Sequence, residues 1–475
     1  MAASSTVPAS PGPPAAPAAA PPPPPTTPRA PAREIFGWAM FDFANSSYTT
    51  VIVTVVFSVV FPRLVVGDGP EYRYGNLLWS VALSVSYALV VLTAPLLGAI
   101  MDFRAAKKRF LFGSYALTVV ATAMLYFVTP GRAPLGVALV VLSNYGFSVG
   151  ESFTSSFLPE LGPVDELGKI SGYAWGLGYI GGVVCTALVI GIVGEQTAAN
   201  FERVRLVGPV TALFFLVAAI PTFLFLRERG TPKALPPGES LVGAGMRRLR
   251  ETGRALREFR DLLVFFAAYF FAMAGLSIVI AFAFIYGDQV IGWSPSSLML
   301  MFVITNLTAS AGSVGFGFLQ KWWGNLRTFN LTLVIWIASV AGIWGTPSIA
   351  AWMHRAFGVS WSAEHLFLAV GAVAGLCLGA TQSASRTIVA VFSPSSKSAE
   401  FFGFWGLFGK LASVAGLLSI GALQARFGLR TAILVCSLFF LGALLATVFV
   451  REARGRAAAA AFDLGSDPGF RGQIP

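Results

Sequence analysis

Apolar runs of roughly 20 residues recur along this chain, separated by short polar breaks, and they constrain the fold more than any other feature. A helix rises about 1.5 Å per residue, so each run is long enough to cross the ~30 Å hydrocarbon layer of a bilayer. Charged residues make up only 12% of the 475, and hydrophobic ones 55%. A soluble domain needs about 25% charged residues to coat its surface, so lipid must be the solvent for most of this chain. A transmembrane barrel would instead show many alternating segments of about 10 residues, and none is evident. The chain reads as an all-α membrane protein.

Twelve spans fit the pattern, near residues 35–65, 77–101, 109–129, 134–157, 170–194, 206–226, 262–287, 296–320, 328–351, 363–390, 401–423 and 430–450. With both ends placed in the cytoplasm, external loops hold only Arg63, Arg73, Arg132, Arg203, Arg205, Arg355, Arg426 and Arg430 of the 33 basic residues. Lys410 lies inside a span, Arg471 sits in the far tail, and the rest fall on cytoplasmic segments. That asymmetry is the positive-inside rule. The net charge of +11 therefore serves topology, and no nucleic-acid partner is expected.

The layout is six spans plus six. Residues 1–32, rich in Pro and Ala, read as a disordered cytoplasmic tail with none of the features of a signal peptide. Residues 33–227 form the first six-helix half and 262–450 the second, with a basic cytoplasmic linker over 228–261 between them. In the linker, Met246 to Asp261 reads as a basic helix on the membrane surface, either simply solvated or touching anionic lipid. Residues 451–475 read as a polar cytoplasmic tail. Cys185, Cys377 and Cys436 lie far apart in apolar runs, and His354 and His365 are the only histidines. No metal or other cofactor is expected from that set.

The two halves repeat a motif. The loop after the second span runs from Gly98 through Asp102 to Lys107-Lys108-Arg109, and the loop after the eighth runs from Gly317 through Lys321 to Arg327. Each places a glycine at a span end and basic residues about ten positions later. Glycine lets helices approach closely, and Asp102 can accept hydrogen bonds from a neighbouring helix end.

Gly98-x-x-x-Asp102 with Lys107-Lys108-Arg109 resembles the signature loop of the major facilitator superfamily. Three further stretches resemble its vacuole-effluxer-like branch of unknown major facilitators. They are Phe41-Asp42-Phe43-Ala44-Asn45-Ser46; Phe157-Leu158-Pro159-Glu160 with Ser171-Gly172-Tyr173-Ala174-Trp175-Gly176-Leu177-Gly178-Tyr179; and Gln382-Ser383-Ala384-Ser385-Arg386 with Glu400-Phe401-Phe402-Gly403-Phe404 and Lys410. The resemblance covers roughly residues 33–450. It implies a major facilitator fold and solute efflux, with amino-acid export suggested for fungal members. Ala105 and Ala106 depart from the superfamily loop, and Lys321 stands where an acid might repeat, so a weaker gating charge network is expected.

A charge near mid-membrane costs roughly 2.5–3.5 kcal/mol on insertion scales, so it persists only if paired, wetted or useful. Asp42, Glu151 and Lys410 meet that description. Asp42, Asn45, Ser46 and Thr49 form one stripe on the first span, and Asn144, Ser148 and Glu151 another on the fourth. With Gln382, these residues are candidates for binding substrate or protons: Asp42, Asn45, Asn144, Glu151, Gln382 and Lys410. Helix bridging by Asp42 and Asn45 is the plainer alternative. Gly98, Asp102, Lys107, Lys108, Arg109 and Arg386 are candidates for a conformational latch, with Arg386 anchoring its span or pairing with Glu160.

The expected activity is secondary active transport of a small polar solute, an amino acid or peptide-like zwitterion, by alternating access in the efflux direction. Protons are the candidate coupling ion, membrane lipids the surrounding partner, and a monomer in a bacterial plasma (inner) membrane the expected form. The alternatives are a non-transporting receptor or assembly protein on the same fold, and a lipid translocator. An enzyme is not expected, since no nucleophile–base pair or metal set appears.

Overall fold

The computed structural model describes residues 27–466 apart from 68–72, 231, 233, 236–237, 239, 256–258, 294 and 359–360. Among these, twelve helices are long and apolar enough to cross a membrane. The first half holds spans 1 to 6: Ala32–Val66, Tyr74–Arg104, Lys107–Phe127, Ala133–Glu160, Leu167–Val193 and Ala198–Phe225. The second half holds spans 7 to 12: Arg260–Phe282, Met299–Trp323, Asn325–Phe357, Ala363–Phe392, Ser395–Gln424 and Arg426–Thr447. All twelve correspond to the runs legible in the sequence.

Each half packs its own apolar core. Trp38, Phe41 and Tyr48 of span 1 are buried in the first half, and Phe265, Phe329 and Trp336 of spans 7 and 9 in the second. Side chains such as Leu92, Leu224 and Leu418 are exposed because lipid is their solvent. Spans 11 and 12 follow one another in a continuous helical run broken at Gly428, where φ of 75° suits a residue without a Cβ. Span 1 is wound in π-helical turns at Thr49–Val55 and Phe61–Val66. Such turns offset the side-chain register, and the first of them, through Thr49, Thr50, Val53 and Thr54, lines a cavity.

The first and last described residues and the linker gather on one face, termed the linker face. Two expectations change there. Most of the N-terminal tail lies outside the described residues, but its last residues pack: the Ala30 amide donates to the Leu161 carbonyl, and Arg29 meets Glu166 at 3.3 Å. The linker helix spans Leu241–Ala255, five residues earlier than its basic composition suggested. The polar C-terminal segment is helical over Glu452–Ser466. Asp261 fixes its start by accepting from the Arg451 amide and the Arg454 guanidinium, and Asp463 fixes its far end by accepting from Ser395 and Ser396. Its alanine-rich sequence favours helix, and these carboxylates supply the docking that composition alone does not reveal.

Candidate functional site: a polar cavity between the halves

The two halves touch on the linker face through glycines. A Cβ on Gly98 of span 2 would overlap the Ala399 carbonyl oxygen at the start of span 11, and one on Gly317 of span 8 would stand 2.7 Å from the Gly168 carbonyl oxygen at the start of span 5. The repeated glycines of the sequence are therefore two matched close approaches.

Polar groups beside these glycines close the face. Asp102 accepts hydrogen bonds from the Ala399 and Glu400 amides at 3.2 and 2.9 Å, capping the first turn of span 11. Lys107 is buried and donates to Glu160 at 2.5 Å and to Ser398 of the other half at 2.6 Å. The rest of the basic cluster does not cross between halves. Lys108 donates to the Leu226 carbonyl within the first half, and Arg109 is exposed. Successive residues of a helix project about 100° apart, so three adjacent cations cannot share one target. Opposite Asp102 in the repeat, Lys321 pairs with Asp165 at 3.0 Å and Glu166 at 3.7 Å. The contact is kept with its charges reversed. Its hydrogen bond to Asp165 holds that loop carboxyl below the usual carboxylate range.

Beyond this closure lies a cavity of about 320 Å³ between the halves. Asp42, Asn45, Asn144, Glu151, Gln382 and Lys410 all line it. Its far end is walled by Met301, Phe302 and Phe367 near the starts of spans 8 and 10, so it runs toward the face opposite the linker. Ser148, expected on the same stripe as Asn144 and Glu151, is fully buried beside the cavity and does not line it.

Three polar contacts at the cavity floor each join one half to the other. Glu151 of span 4 faces Lys410 of span 11 at 3.8 Å, and Gln382 of span 10 donates to the Tyr179 hydroxyl of span 5 at 2.7 Å. Arg386 of span 10 donates to Asp42 of span 1 at 2.6 Å. Its remaining donors reach the Ser171 hydroxyl at 3.1 Å and the Ser171 carbonyl at 3.0 Å, and its guanidinium stacks over Trp38 and Trp175. Arg386 therefore does not pair with Glu160, which is held by Lys107. Span 10 continues to Phe392, so Arg386 sits six residues, or about 9 Å, inside its end, at the depth of Asp42.

Other contacts were not legible in the sequence. Lys410 lies over the Tyr87 and Phe147 rings, with its ammonium 5.2 and 5.7 Å from their centroids. Asn144 donates to the buried Ser86 hydroxyl, so it bridges spans 4 and 2 as well as lining the cavity. Aromatic residues are spread all along this chain, and nothing in their spacing singles out Tyr87. Among the described residues, no three His, Cys, Asp or Glu side chains are grouped as a metal site would require.

Two six-helix halves around a central polar cavity, closed at one face by paired loop motifs, define a transporter of the major facilitator superfamily. The family described as Vacuole effluxer Atg22 like matches residues 78–460, and the chain belongs to it. The uncharacterized MFS-type transporter YxiO of Bacillus subtilis (strain 168) is 26% identical over 87% of this chain and 94% of its own length. Autophagy-related protein 22-1 of Aspergillus niger is 28% identical over 61% of this chain and 48% of its own length, so this chain spans about half of that relative. The fold matches the proton:xylose symporter XylE with a TM-score of 0.66 at 13% identity, over 90% of this chain and 98% of that one. It also matches a bacterial homologue of the iron transporter ferroportin in an outward-facing state, with a TM-score of 0.63 at 12% identity, covering 88% and 98%. At these identities the likeness shows the fold alone.

Proposed function

We propose that the protein is a secondary active transporter that moves a small zwitterionic solute, an amino acid or short peptide-like molecule, out of the cytoplasm by alternating access. The facing of Glu151 and Lys410 across the cavity is the observation that carries this reading. At 3.8 Å the two are near the limit of an ion pair, and their side chains keep 21% and 17% of their exposure. An acid and a base that both still face the cavity offer one site for an ammonium and one for a carboxylate. The solute's own charges would replace the contact between the halves, so binding would be coupled to movement of the halves. A volume of about 320 Å³ suits a small metabolite.

The charge bias supports a cytoplasmic linker face, which makes this conformation outward-facing. The relative in Bacillus subtilis and the excess of Arg over Lys support a bacterial plasma membrane, where the protein would act as a monomer. Asp42 and Glu151 are the groups through which a proton could be coupled, since each is a carboxylate bridging the two halves and reached from the cavity.

The test is counterflow in proteoliposomes, with pools of labelled amino acids and dipeptides set against sugars and organic anions. Exchange of a zwitterion that is lost in Lys410→Met and Glu151→Gln supports the reading. Exchange of sugars or anions alone, or none in any pool, overturns it. A pH gradient that drives accumulation in the wild type but not in Glu151→Gln or Asp42→Asn would identify the proton site.

A further inference from the structure

The linker helix Leu241–Ala255 presents three different faces. Ala244, Gly245, Arg248 and Thr252 recur at helical spacing and are buried against the protein. This face bridges the two halves. A Cβ on Gly245 would stand 2.8 Å from Ile100 and 2.9 Å from Leu96 of span 2. Arg248 donates to the Ser396 carbonyl at 2.6 Å and lies 3.5 Å from Glu400, while Thr252 accepts from Lys397 at 2.5 Å. Ser396, Lys397 and Glu400 open span 11, whose first amides are those capped by Asp102.

The second face is apolar and uncovered. Val242 is 57% exposed and Met246 40%, on a side of the helix that faces away from the protein. The third face carries Arg247, Arg250 and Glu251, all exposed, with Arg247 3.7 Å from Glu251. The helix packs against Leu96 and Ile100, one to two turns before Arg104 ends span 2. Acyl chains meet headgroups at that depth, and an interfacial helix seated there would turn Val242 and Met246 to the chains and Arg247 and Arg250 to the phosphates.

We propose that the linker helix is a lipid-anchored clamp: anionic phospholipid headgroups at the linker face bind Arg247 and Arg250, and the buried face of the seated helix holds the two halves together on that side. The helix spans both sides of the gate, so whatever fixes it in the interface favours the closed gate over the open one. The basic charge of this exposed face exceeds its acidic charge by one. One basic charge at an anionic surface corresponds to a shift of about five-fold in the closed-to-open ratio. The inference rests on the gating reading of the cavity but not on the nature of the solute.

The experiment uses the full chain in nanodiscs, without substrate, spin-labelled at Leu224→Cys and Val448→Cys. Both are exposed at the linker-face ends of their halves, Leu224 in span 6 and Val448 just past span 12. Distances are measured in phosphatidylcholine alone and in phosphatidylcholine mixed with phosphatidylglycerol. The expected result is a closed population favoured about five-fold more in the anionic discs, a difference that disappears in the Arg247→Gln/Arg250→Gln double variant. Arg248→Ala should open the gate in both lipids and abolish the lipid effect. Equal populations in the two lipids, or a lipid effect that survives in the double variant, would overturn the proposal. So would recovery of the effect by soluble glycerol phosphate in phosphatidylcholine discs, because that would mean a free-anion site. Failure of transport with the lipid effect intact would count only against the zwitterion reading.

Discussion

Asp42 and Arg386 stand 344 residues apart in the chain and 2.6 Å apart in the fold, joined across the boundary between the two halves. Every hydrogen-bond partner of the Arg386 guanidinium belongs to the other half. The halves cannot separate at this level without leaving a buried guanidinium and a buried carboxylate to find new partners. Glu151 and Lys410 also join the halves, but at 3.8 Å and in contact with the cavity. On the transport reading proposed above, one pair is a lock between the halves and the other a seat for the solute.

The lock should be revealed by unequal single and double variants. Arg386→Gln removes the partner of a carboxylate only 8% exposed, and breaking such a pair costs about 3–5 kcal/mol. Thermal stability should therefore fall in Arg386→Gln and recover partly in Asp42→Asn/Arg386→Gln. Measured melting in detergent checks this. Equal melting temperatures in the single and double variants would remove the coupling between the two residues.

The seat should behave differently. Glu151 and Lys410 keep enough exposure for solvent to screen their attraction, so Glu151→Gln or Lys410→Met should change stability by only about 1 kcal/mol. Counterflow should nevertheless be lost in both. The charge-exchanged variant, Glu151→Lys/Lys410→Glu, should fold normally and still fail to exchange substrate, since the ammonium and carboxylate subsites would be reversed. Full activity of that variant would show that the pair serves only as a bridge.

Two glycines separate gating from folding. A Cβ on Gly98 would overlap Ala399 of the other half, while one on Gly181 of span 5 would overlap the Phe43 carbonyl of span 1 in the same half. Gly98→Ala should keep its fold and shift the equilibrium away from the closed linker face. Gly181→Ala strains a contact present in every conformation, so it should lose about 1–3 kcal/mol of stability in all of them. Cysteine cross-linking across the linker face, paired with melting curves, distinguishes the two. A Gly98→Ala protein that still cross-links like the wild type would refute the gating assignment.

Much of the fold and of the cavity was legible in the sequence, because both follow from one cost. Lipid rejects unpaired charge, so apolar length marks the spans, and the few charges within them mark the cavity. Asp42, Glu151 and Lys410 were visible for that reason. Their pairing was not, since helix periodicity fixes the side of a span but not its neighbour across a boundary hundreds of residues away. Arg386 looked like an interfacial anchor only because its span continues further than the apolar run suggests. The seating of the linker and C-terminal helices was hidden for another reason. Their docking rests on single carboxylates and arginines, such as Asp261, Asp463 and Arg248, whose partners no local pattern announces.

The reversed repeat at Lys321 gives the linker face a pH dependence whose sign can be worked out. Asp165 lies in the loop before span 5, and the hydrogen bond from Lys321 lowers its pKa in the closed conformation. In the open conformation the carboxyl should return to its ordinary value of about 3.9. A depressed pKa favours the closed gate wherever the carboxylate is ionised, so this contribution is fully present above about pH 4 and is lost as pH falls through the lowered value. Between pH 5 and 8 the pair should therefore contribute no pH dependence at all. Its size is small, because Asp165 keeps 57% of its side-chain exposure and Lys321 31%, so solvent screens the pair. Asp165→Asn at neutral pH should accordingly open the gate only slightly. In about 1 M salt, where the screening length falls to about 3 Å, the variant and wild type should converge. Spin-label distances across the linker face, recorded for both proteins at low and high salt, check each step. A variant effect that persists undiminished in high salt would mean that Asp165 acts through the shape of its loop and not through its charge.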